Sequence, residues 1–394
     1  MVPRPCVRYL NTSVELWDPY DAMTETDPLD RTLYVRHMAI RRMIASWPDN
    51  SGPTAVVEHG ANPGLVSHWA KQALSEIATS MLSDGIAGDG TASIETALAS
   101  DDFAMLAMLT GTKVIHIAER DTQVTDRPKR TGEFVNTWSV EGFYEEGVAP
   151  AEIGWGTHEK WMPANAHEHH DDGPRNQICL AQPGMESWVR SWVPSGQNLG
   201  MIIRHGESYT MCKHLTVKNP DGTDAYRPTV HYAYHPSDVA ITSVLELRMR
   251  NWEMQPRERI LNDEIVSGRD ELGVLLMGHP FKSWWTGSTL SIDEARSIVP
   301  GQSATTLQVA GSVAAAVRWL IDCPNEGVCV PDDLPWKKLL DATRPYIGEI
   351  VSIPADWTPL SQRFDPFPGF GNDDRLVDHS DPWQFANFLA PTPR

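Results

Sequence analysis

The sequence predicts an α/β region followed by an α+β domain, and three observations lead to this fold class. Residues 7–80 alternate strand-like and helix-like segments, which is typical of a parallel sheet with crossover helices. Residues 112–234 carry repeated strand-like runs, which indicate a mixed or antiparallel sheet. Helical patterns return after residue 236, so helices are expected to accompany the second sheet.

The composition agrees with a folded, acidic protein of two or three domains. The chain has 394 residues, of which 41% are hydrophobic and 22% are charged, as in ordinary globular proteins. A formal net charge of −19 repels phosphate backbones and attracts cations, so nucleic-acid binding is disfavoured. The longest uncharged stretch, 297–317, is too polar to predict a membrane span.

The cysteines and the first residues indicate a reducing compartment. Five cysteines are scattered along the chain without a C-x-x-C pair, so we interpret them mostly as core thiols. The start, MVPRPC, lacks the apolar region of a secretory signal. We therefore expect a cytoplasmic protein.

The first region is expected to hold two strands whose C-terminal ends form a ligand cleft. Strand-like runs at 6–14 and 54–59 are each followed by helical spacing, over 28–47 and from Leu65 onward. Asn62 is a preferred N-cap residue and Pro63 suits the first helical position, so the second helix is expected to begin there. Ligands of parallel sheets bind at the C-terminal strand ends, which puts Glu15 and Asn62 at the predicted cleft.

The remaining elements predict a larger second domain and a tail. The strand-like runs are TKVIHIAE, EFVNTWSV, NQICLAQ, SWVRSWV, GMIIRH and RPTVHYAY. Helices are predicted at 237–251, at 291–299 with a capping box from Ser291 to Glu294, and at 304–322. Residues 359–394, rich in Pro, Asp and Phe, are interpreted as a C-terminal tail on the surface. The predicted divisions are 1–82, 83–358 and 359–394.

Several catalytic signatures are missing from the printed sequence. It contains no G-x-G-x-x-G in a strand-to-helix turn, no G-x-S-x-G and no P-loop. The run HEHHDD at 167–172 does not complete H-E-x-x-H, because residue 171 is Asp. A polar loop is favoured over a metal site there, and no metal is assigned.

Acidic residues follow several strand-like runs. They are Glu15, Glu119, Glu141 and, beside His205, Glu207. Carboxylates at strand ends can bind a cation or act as acid and base, although each one alone is more simply a solvated loop acid.

Tryptophans are interleaved with acids in one part of the second region. Trp138, Trp155 and Trp161 lie in or near WSVEGFYEEG and WGTHEKWMP. A ring face and a carboxylate together can hold an ammonium group, with roughly 0.5–2 kcal/mol from the cation–π contact. The alternative for each ring is ordinary core packing.

Longer motifs connect the chain to a known family. In EHGANPGLVSHWAKQAL, HIAERDTQ, FVNTWSVEGFYEEG, WGTHEKWMP, RPTVHYAYHP, DELGVLL and DWTPL the chain resembles bacterial homospermidine synthases, from the first strand to DPWQF at 381–385. The resemblance implies a saccharopine-dehydrogenase-like reductase fold, with a Rossmann domain, an α+β catalytic and dimerisation domain, and a homodimer. It also implies oxidation of putrescine to an imine with recycled NAD, displacement of ammonia by a second putrescine, and reduction of the new Schiff base to homospermidine.

The resemblance further implies roles for individual residues. Trp138 would hold the cationic intermediate, and His205 would shuttle protons. The implied catalytic residues are Trp138, Glu119, His205 and Asn62. The implied substrate-binding residues are Glu15, Glu146, Glu207 and Asp270. The implied cofactor contacts are Asn11, Thr12, Gly60, Asn62 and Pro63.

The N-terminal part departs from the family pattern. Family members begin with a strand and a glycine-rich fingerprint, so residues 1–82 are interpreted as the C-terminal part of a Rossmann domain. Because glycine-turn N–H groups hold the pyrophosphate, we expect residues 1–394 to bind NAD weakly or not at all. Two alternatives stay open. One is a non-catalytic polyamine-binding remnant; the other is a saccharopine- or carboxynorspermidine-type reductase, which requires a carboxylate-recognising Arg.

Overall fold

The computed structural model describes residues 7–14, 27–170, 173–363 and 377–390. The α-helices of this part are α1 (Leu33–Ala45), α2 (Leu65–Ser83), α3 (Thr91–Ala99), α4 (Phe103–Thr110), α5 (Val140–Val148), α6 (Glu207–His214), α7 (Asp238–Met249), α8 (Ile292–Ile298), α9 (Ala304–Asp322), α10 (Trp336–Thr343) and α11 (Phe385–Phe388). Short 3-10 helices lie at Pro28–Arg31, Gly88–Gly90, Gly184–Glu186, Pro331–Asp333 and Arg344–Tyr346.

The strands of the described residues are β1 (Tyr9–Leu10), β2 (Gly52–Val56), β3 (Val114–Asp121), β4 (Val124–Thr125), β5 (Glu133–Asn136), β6 (Pro150–Gly154), β7 (Ala166–Glu168), β8 (Gln177–Pro183), β9 (Trp188–Val193), β10 (Gly196–Met201), β11 (Val217–Lys218), β12 (Asp224–Tyr226), β13 (Thr229–His235), β14 (Arg257–Ile260), β15 (Ile265–Ser267), β16 (Arg269–Met277), β17 (Ser283–Ser291), β18 (Glu326–Cys329) and β19 (Glu349–Ala355).

The smaller main sheet is parallel and has the order β1–β2–β18. Ala55 in β2 pairs with Tyr9 on one side and with Val328 on the other. The sheet therefore combines the first strands with a strand from near the end of the chain, so it is not built from residues 1–82 alone. Strand β18 is too short to carry a local sequence pattern that would predict its pairing with β2.

The larger sheet is mixed, as predicted, with ten strands. Its main order is β19–β17–β16–β3–β13–β6–β8–β7, and β10 joins β13 to β9. The central pair β3 and β13 is parallel, whereas β16 runs antiparallel to β3. Both central strands are almost entirely buried, as is typical of strands that are covered on both faces of a sheet. Strand β3 nevertheless ends in the charged residues Glu119, Arg120 and Asp121.

Two apolar cores cover the two faces of this sheet. Along β3, Ile115 and Ile117 belong to the core that includes α2, whereas Val114 and Ala118 belong to the opposite core. This alternation follows the two-residue period of a strand. Of the five cysteines, Cys179, Cys212 and Cys329 are buried free thiols and Cys323 is half-buried, whereas Cys6 lies outside the described residues.

The C-terminal segment corrects the prediction of a surface tail. Trp383, Phe385 and Phe388 are buried in the core on the face opposite α2. Leu389 forms an isolated bridge with Val189 of β9. Burial of these three large aromatic side chains stabilises the packing of the segment on the sheet. Its prolines and aspartates, taken alone, predict an exposed segment.

Several observed helices lie where the sequence did not predict a helix, whereas others confirm the prediction. Helices α3, α4, α5 and α6 were not predicted, and the strand predicted through EFVNTWSV ends at Asn136. There Ser139 caps α5 by accepting a hydrogen bond from Gly142 N at 3.0 Å. The predicted capping box of Ser291 and Glu294 and the predicted helix α9 are both confirmed.

Helix α9 is a core element of the fold. Among the described residues, one helix is long and apolar enough to cross a membrane, and this helix is α9. However, 56% of its apolar window is buried inside the fold. Its buried side includes Leu307, Ala316 and Trp319. These observations are typical of a core helix.

Candidate active site

A cavity of about 520 Å³ lies where the small parallel sheet meets the large sheet. Its lining side chains follow the C-terminal ends of β1 and β2, where ligands of parallel sheets bind, and continue onto β3, β13 and the start of α9. It brings together the predicted residues Trp138, Glu119, His205, Asn62, Glu146, Thr12, Gly60 and Pro63.

Glu119 lies near the end of β3 and is 3% exposed. Asn62 Nδ2 donates a hydrogen bond to Glu119 Oε2 at 3.2 Å, and the Tyr232 hydroxyl donates to the same oxygen. Burial raises the pKa of Glu119 to about 8, although the bonds from Tyr232 and Asn62 oppose this rise. The group can therefore take up or give a proton near neutral pH.

Two further carboxyl groups lie beside Glu119 on the same sheet. Asp121 is two residues along β3, and Asp270 pairs with it across β16. Thr137 Oγ1 donates to Asp121 Oδ2 at 2.6 Å, and Thr305 donates to Asp270. Burial raises the pKa of both groups. Asp270 is fully buried behind Glu119 and is not among the described lining residues.

Trp138 forms part of the cavity wall between β5 and α5. Its Nε1 donates to Tyr234 Oη at 2.9 Å. Its ring centroid lies 5.6 Å from that of Phe143 and 6.4 Å from that of Tyr234. The ring is half-buried and lines the cavity, so a cationic ligand can reach it.

The other two candidate tryptophans do not join this site. Trp155 packs on Phe385, on the face of the large sheet opposite the α2 core. Trp161 is 54% exposed. The expectation of three interleaved aromatic faces is therefore wrong, and Glu141 is exposed in the first turn of α5.

His205 and Glu146 form another part of the wall. His205 Nε2 lies 3.7 Å from Glu146 Oε2, and the His205 ring meets that of Tyr232 edge-on at 4.4 Å between centroids. Burial lowers the pKa of His205 to about 3, although backbone hydrogen bonds oppose the decrease. His205 is therefore neutral at rest, and it can accept or donate one hydrogen bond at each ring nitrogen.

The turn after β2 corrects the predicted role of Asn62. Helix α2 begins at Leu65 with Gly64 as its N-cap residue. Gly64 has φ +130°, and a Cβ there would lie 2.1 Å from the carbonyl oxygen of Gly60, so this position needs glycine. Asn62 therefore does not cap α2. Its side-chain amide instead donates hydrogen bonds to Glu119 and to the Tyr232 hydroxyl.

Two other predicted residues are not among the described lining residues of the cavity, and a third cannot be located in this structure. Asn11 supports the backbone, because its Oδ1 accepts from Glu58 N at 2.8 Å and its Nδ2 donates to Ser13 O at 2.7 Å. Glu207 is buried at the start of α6 and is not among the described lining residues. Glu15 lies outside the described residues.

Sequence reasoning missed Tyr232 and Tyr234. Both lie on β13, and their rings stack with centroids 5.4 Å apart. One contacts Glu119 and the other Trp138. The available signal was their two-residue spacing in RPTVHYAYHP, which puts both hydroxyls on one face of a strand.

The histidine-rich run is connected to the N-terminal helices. His169 stacks on Tyr34 with ring centroids 4.1 Å apart, and its Nε2 lies 3.4 Å from Thr32 Oγ1. Over the described ranges, no group of three or more His, Cys, Asp and Glu side chains is arranged to hold a metal ion.

Comparison with known proteins identifies the family. Residues 60–353 match the family model described as the saccharopine dehydrogenase C-terminal domain. Homospermidine synthase of Blastochloris viridis is 44% identical over 386 residues, which cover 97% of this chain and 76% of that protein. Homospermidine synthase of Mesorhizobium japonicum is 43% identical over 387 residues, covering 98% and 76%.

A solved structure agrees with the sequence comparison. The crystal structure of homospermidine synthase from Legionella pneumophila in complex with NAD has a TM-score of 0.83 and 41% identity to this chain. The match covers 98% of this chain and 77% of that one. At this identity and coverage, the chain belongs to the homospermidine synthase family.

Proposed function

We propose that this chain makes homospermidine from two molecules of putrescine, with release of ammonium, in the cavity around Glu119. The observation that carries the proposal is the combination of the Trp138 ring face with Glu119 and Glu146 in one wall. Among the described lining residues there is no Arg or Lys. This charge pattern suits a diamine and disfavours the carboxylate substrates of saccharopine- or carboxynorspermidine-type reductases.

Trp138 holds the reacting cation. Its ring is oriented by the hydrogen bond to Tyr234 and by Phe143, so the cation does not have to reorganise it. A half-buried ring face contributes roughly 0.5–2 kcal/mol to binding a cation. Glu146 lies in the same wall and attracts an ammonium group of the substrate.

Glu119 moves the protons. An alkylammonium group, which titrates near 10 in water, must lose a proton before its nitrogen attacks or its carbon is oxidised. Ionised Glu119 accepts that proton, and protonated Glu119 returns it to the departing nitrogen. Tyr232 and Asn62 hold the carboxyl group in place through its Oε2 atom. A pKa near 8 lets one group perform both steps.

The residues around the strand ends fit the nicotinamide end of NAD. Thr12 follows β1, Gly60 and Pro63 follow β2, and all three line the cavity beside Glu119. A Cβ on Gly60 would contact Thr12, Pro63 and Val309 at 3.5 Å, which indicates a closely packed floor. When bound, NAD supplies reversible hydride acceptance at carbon.

The weak binding of NAD expected for residues 1–394 stays a prediction, and equilibrium dialysis with labelled NAD tests it. Tight binding would contradict it. We also propose that the chain acts in the cytoplasm as a homodimer in polyamine biosynthesis. The division at residues 82 and 358 stays a proposal as well.

The proposed function is tested by incubating the full chain with NAD and putrescine and measuring products by mass spectrometry. We expect one ammonium for each homospermidine. The matched control is Glu141→Gln, which changes an exposed acid of α5 outside the described lining. Failure to form homospermidine, or equal loss in Glu119→Gln and Glu141→Gln, would contradict the proposal.

A further inference from the structure

Gln123 joins the carboxyl groups behind Glu119 to the start of α9. Its side chain is 2% exposed. Its backbone N–H and its Nε2 both donate to Asp121 Oδ1, at 2.8 and 3.0 Å, and Nε2 also donates to Thr305 Oγ1 at 3.1 Å. Its Oε1 accepts from Ala304 N at 3.0 Å. Both polar atoms of this side chain therefore have hydrogen-bond partners.

These bonds favour one orientation of the Gln123 amide. In the reversed orientation, its carbonyl oxygen would meet the carboxyl oxygen of Asp121, and its NH₂ group would meet the N–H of Ala304. Acceptor would then face acceptor and donor would face donor, so the reversed amide is disfavoured. Gln123 therefore presents its two side-chain N–H bonds to Asp121 and Thr305.

The orientation of Gln123 sets the direction of the next hydrogen bond. A threonine hydroxyl has a single hydrogen. Thr305 Oγ1 accepts from Gln123, and its own hydrogen is donated to Asp270 Oδ2. Thr305 is the second residue of α9, is 8% exposed and lines the active-site cavity. The path through Thr305 therefore makes one particular oxygen of Asp270 an acceptor.

The other oxygen of Asp270 has no donor. Asp270 is fully buried, and within the described residues no group donates to its Oδ1. A buried carboxyl oxygen without a donor is costly unless it carries a proton and donates a hydrogen bond itself. Burial and the charges of Glu119 and Asp121 raise the pKa of Asp270 well above its ordinary range, which agrees with a proton at this oxygen.

Glu119 is the neighbour that can accept this hydrogen bond. Asp270 pairs with Asp121, and Leu272 pairs with Glu119, so Asp270 and Glu119 are diagonal neighbours on one face of the large sheet. Burial raises the pKa of Glu119, and a hydrogen bond between the Glu119 and Asp270 side chains opposes this rise. A bond that lowers the pKa of a carboxyl group stabilises its ionised form, so Asp270 is the donor and Glu119 the acceptor.

We propose that Thr305 is a positioning residue for Glu119. Held by Gln123, its hydroxyl fixes which oxygen of Asp270 accepts, so that the opposite oxygen donates to Glu119 and stabilises the ionised form that takes a proton from the substrate. The inference rests on the proposed function, in which Glu119 moves protons. It assigns Asp270, to which the family resemblance gave a substrate-binding role, to the support of Glu119 instead.

The test removes the Thr305 hydroxyl and keeps the shape of the side chain. Thr305→Val loses the bond to Asp270, whereas Thr305→Ser keeps a hydroxyl and is the conservative variant. Gln308→Met is the matched control, because Gln308 is fully buried on the same helix and is not among the described lining residues. Its Nε2 donates to the backbone oxygen of Asp270 at 3.3 Å and to Ser288 Oγ at 2.9 Å. This control disturbs the surroundings of Asp270 without removing a bond to its carboxyl group.

The first readout is the titration of Glu119, which needs no turnover. The full chain is labelled with ¹³C at the glutamate carboxyl carbons, and the Glu119 NMR signal is the one absent from Glu119→Gln. In the unmodified chain, its midpoint is expected at about pH 8. We expect the midpoint to rise by about one pH unit in Thr305→Val, because ionised Glu119 loses a donor. It should stay in place in Thr305→Ser and in Gln308→Met.

The second readout is the pH–rate profile of homospermidine formation. Thr305→Val is expected to move the limb governed by Glu119 to higher pH by the same interval. Near neutral pH, kcat should decrease by about tenfold, since a rise of one pH unit lowers the ionised fraction of a base about tenfold, while the KM for putrescine stays unchanged. A role in packing alone would lower stability without moving the limb.

A midpoint and a limb that do not move in Thr305→Val, or that move equally in Gln308→Met, would overturn the proposal. A shifted midpoint in a chain that forms no homospermidine would support the positioning of Glu119 and refute the proposed function. If Thr305→Val does not fold, Thr305→Ala removes the same hydroxyl with a residue that favours helices, and its titration decides the result.

Discussion

Replacing Glu119 with glutamine is expected to separate proton transfer from stability. Burial raises the pKa of Glu119 from 4.5 to about 8, so the folded chain keeps a proton that the unfolded chain releases in this interval. Stability is therefore full below pH 4.5 and decreases as the pH rises toward 8. At 1.36 kcal/mol for each tenfold change, the decrease is about 5 kcal/mol, an upper value because Asp121 and Asp270 share the same field.

Glutamine keeps the acceptor oxygen for Tyr232 and Asn62 but does not ionise. At about pH 5, we expect Glu119→Gln and the unmodified chain to have the same free energy of unfolding. At about pH 8, the free energy of unfolding of Glu119→Gln should be higher by up to about 5 kcal/mol. Turnover is expected to decrease by about 10²–10⁴, the usual contribution of a general acid–base group.

Urea unfolding followed by tryptophan fluorescence at both pH values measures the first effect, and homospermidine formation measures the second. Parallel dependence of stability on pH in both proteins would refute the proposed titration of Glu119. A large loss of stability near about pH 5 would mean that Glu119 acts mainly in packing.

Three further predictions concern the aromatic residues. Trp138→Ala is expected to lower turnover about 30-fold, from a loss of about 2 kcal/mol, whereas Trp138→Phe keeps a fraction; equal activities in steady-state assays would exclude the cation–π role. Tyr232→Phe removes a hydrogen bond that lowers the pKa of Glu119, so the alkaline limb of the pH–rate profile should move to higher pH, and an unmoved limb would contradict this. Phe388→Ala should lower the free energy of unfolding by about 3–5 kcal/mol, since Phe388 is fully buried; a loss below about 1 kcal/mol in urea titrations would show that its segment is dispensable.

Local patterns were sufficient for elements whose partners are near in sequence or whose burial is uniform. The capping box at Ser291 and the strand β3 were predicted because a single hydrogen-bond pair or an apolar run defines each of them. Strand β18 was missed because its pairing with Ala55 depends on a contact far along the chain. Phe385 and Phe388 were misread because their prolines and aspartates dominate the local composition.

The candidate site was predictable as a set of residues but not as a geometry. Glu119 and Trp138 were selected from their motifs, and both line one cavity. Asn62 was selected as a helix cap, whereas its amide bonds Glu119, because cap and ligand positions share the same residue types. Trp155 was grouped with Trp138 by proximity in sequence, but the large sheet separates them.

The most direct test of the account is the redox balance of the reaction. The full chain is supplied with NAD and putrescine, and homospermidine, ammonium and NADH are measured together. We predict equal amounts of homospermidine and ammonium with no accumulation of NADH, and loss of both products in Glu119→Gln. Accumulation of NADH in step with product, or homospermidine formation that survives Glu119→Gln, would contradict a redox-neutral amine transfer centred on Glu119.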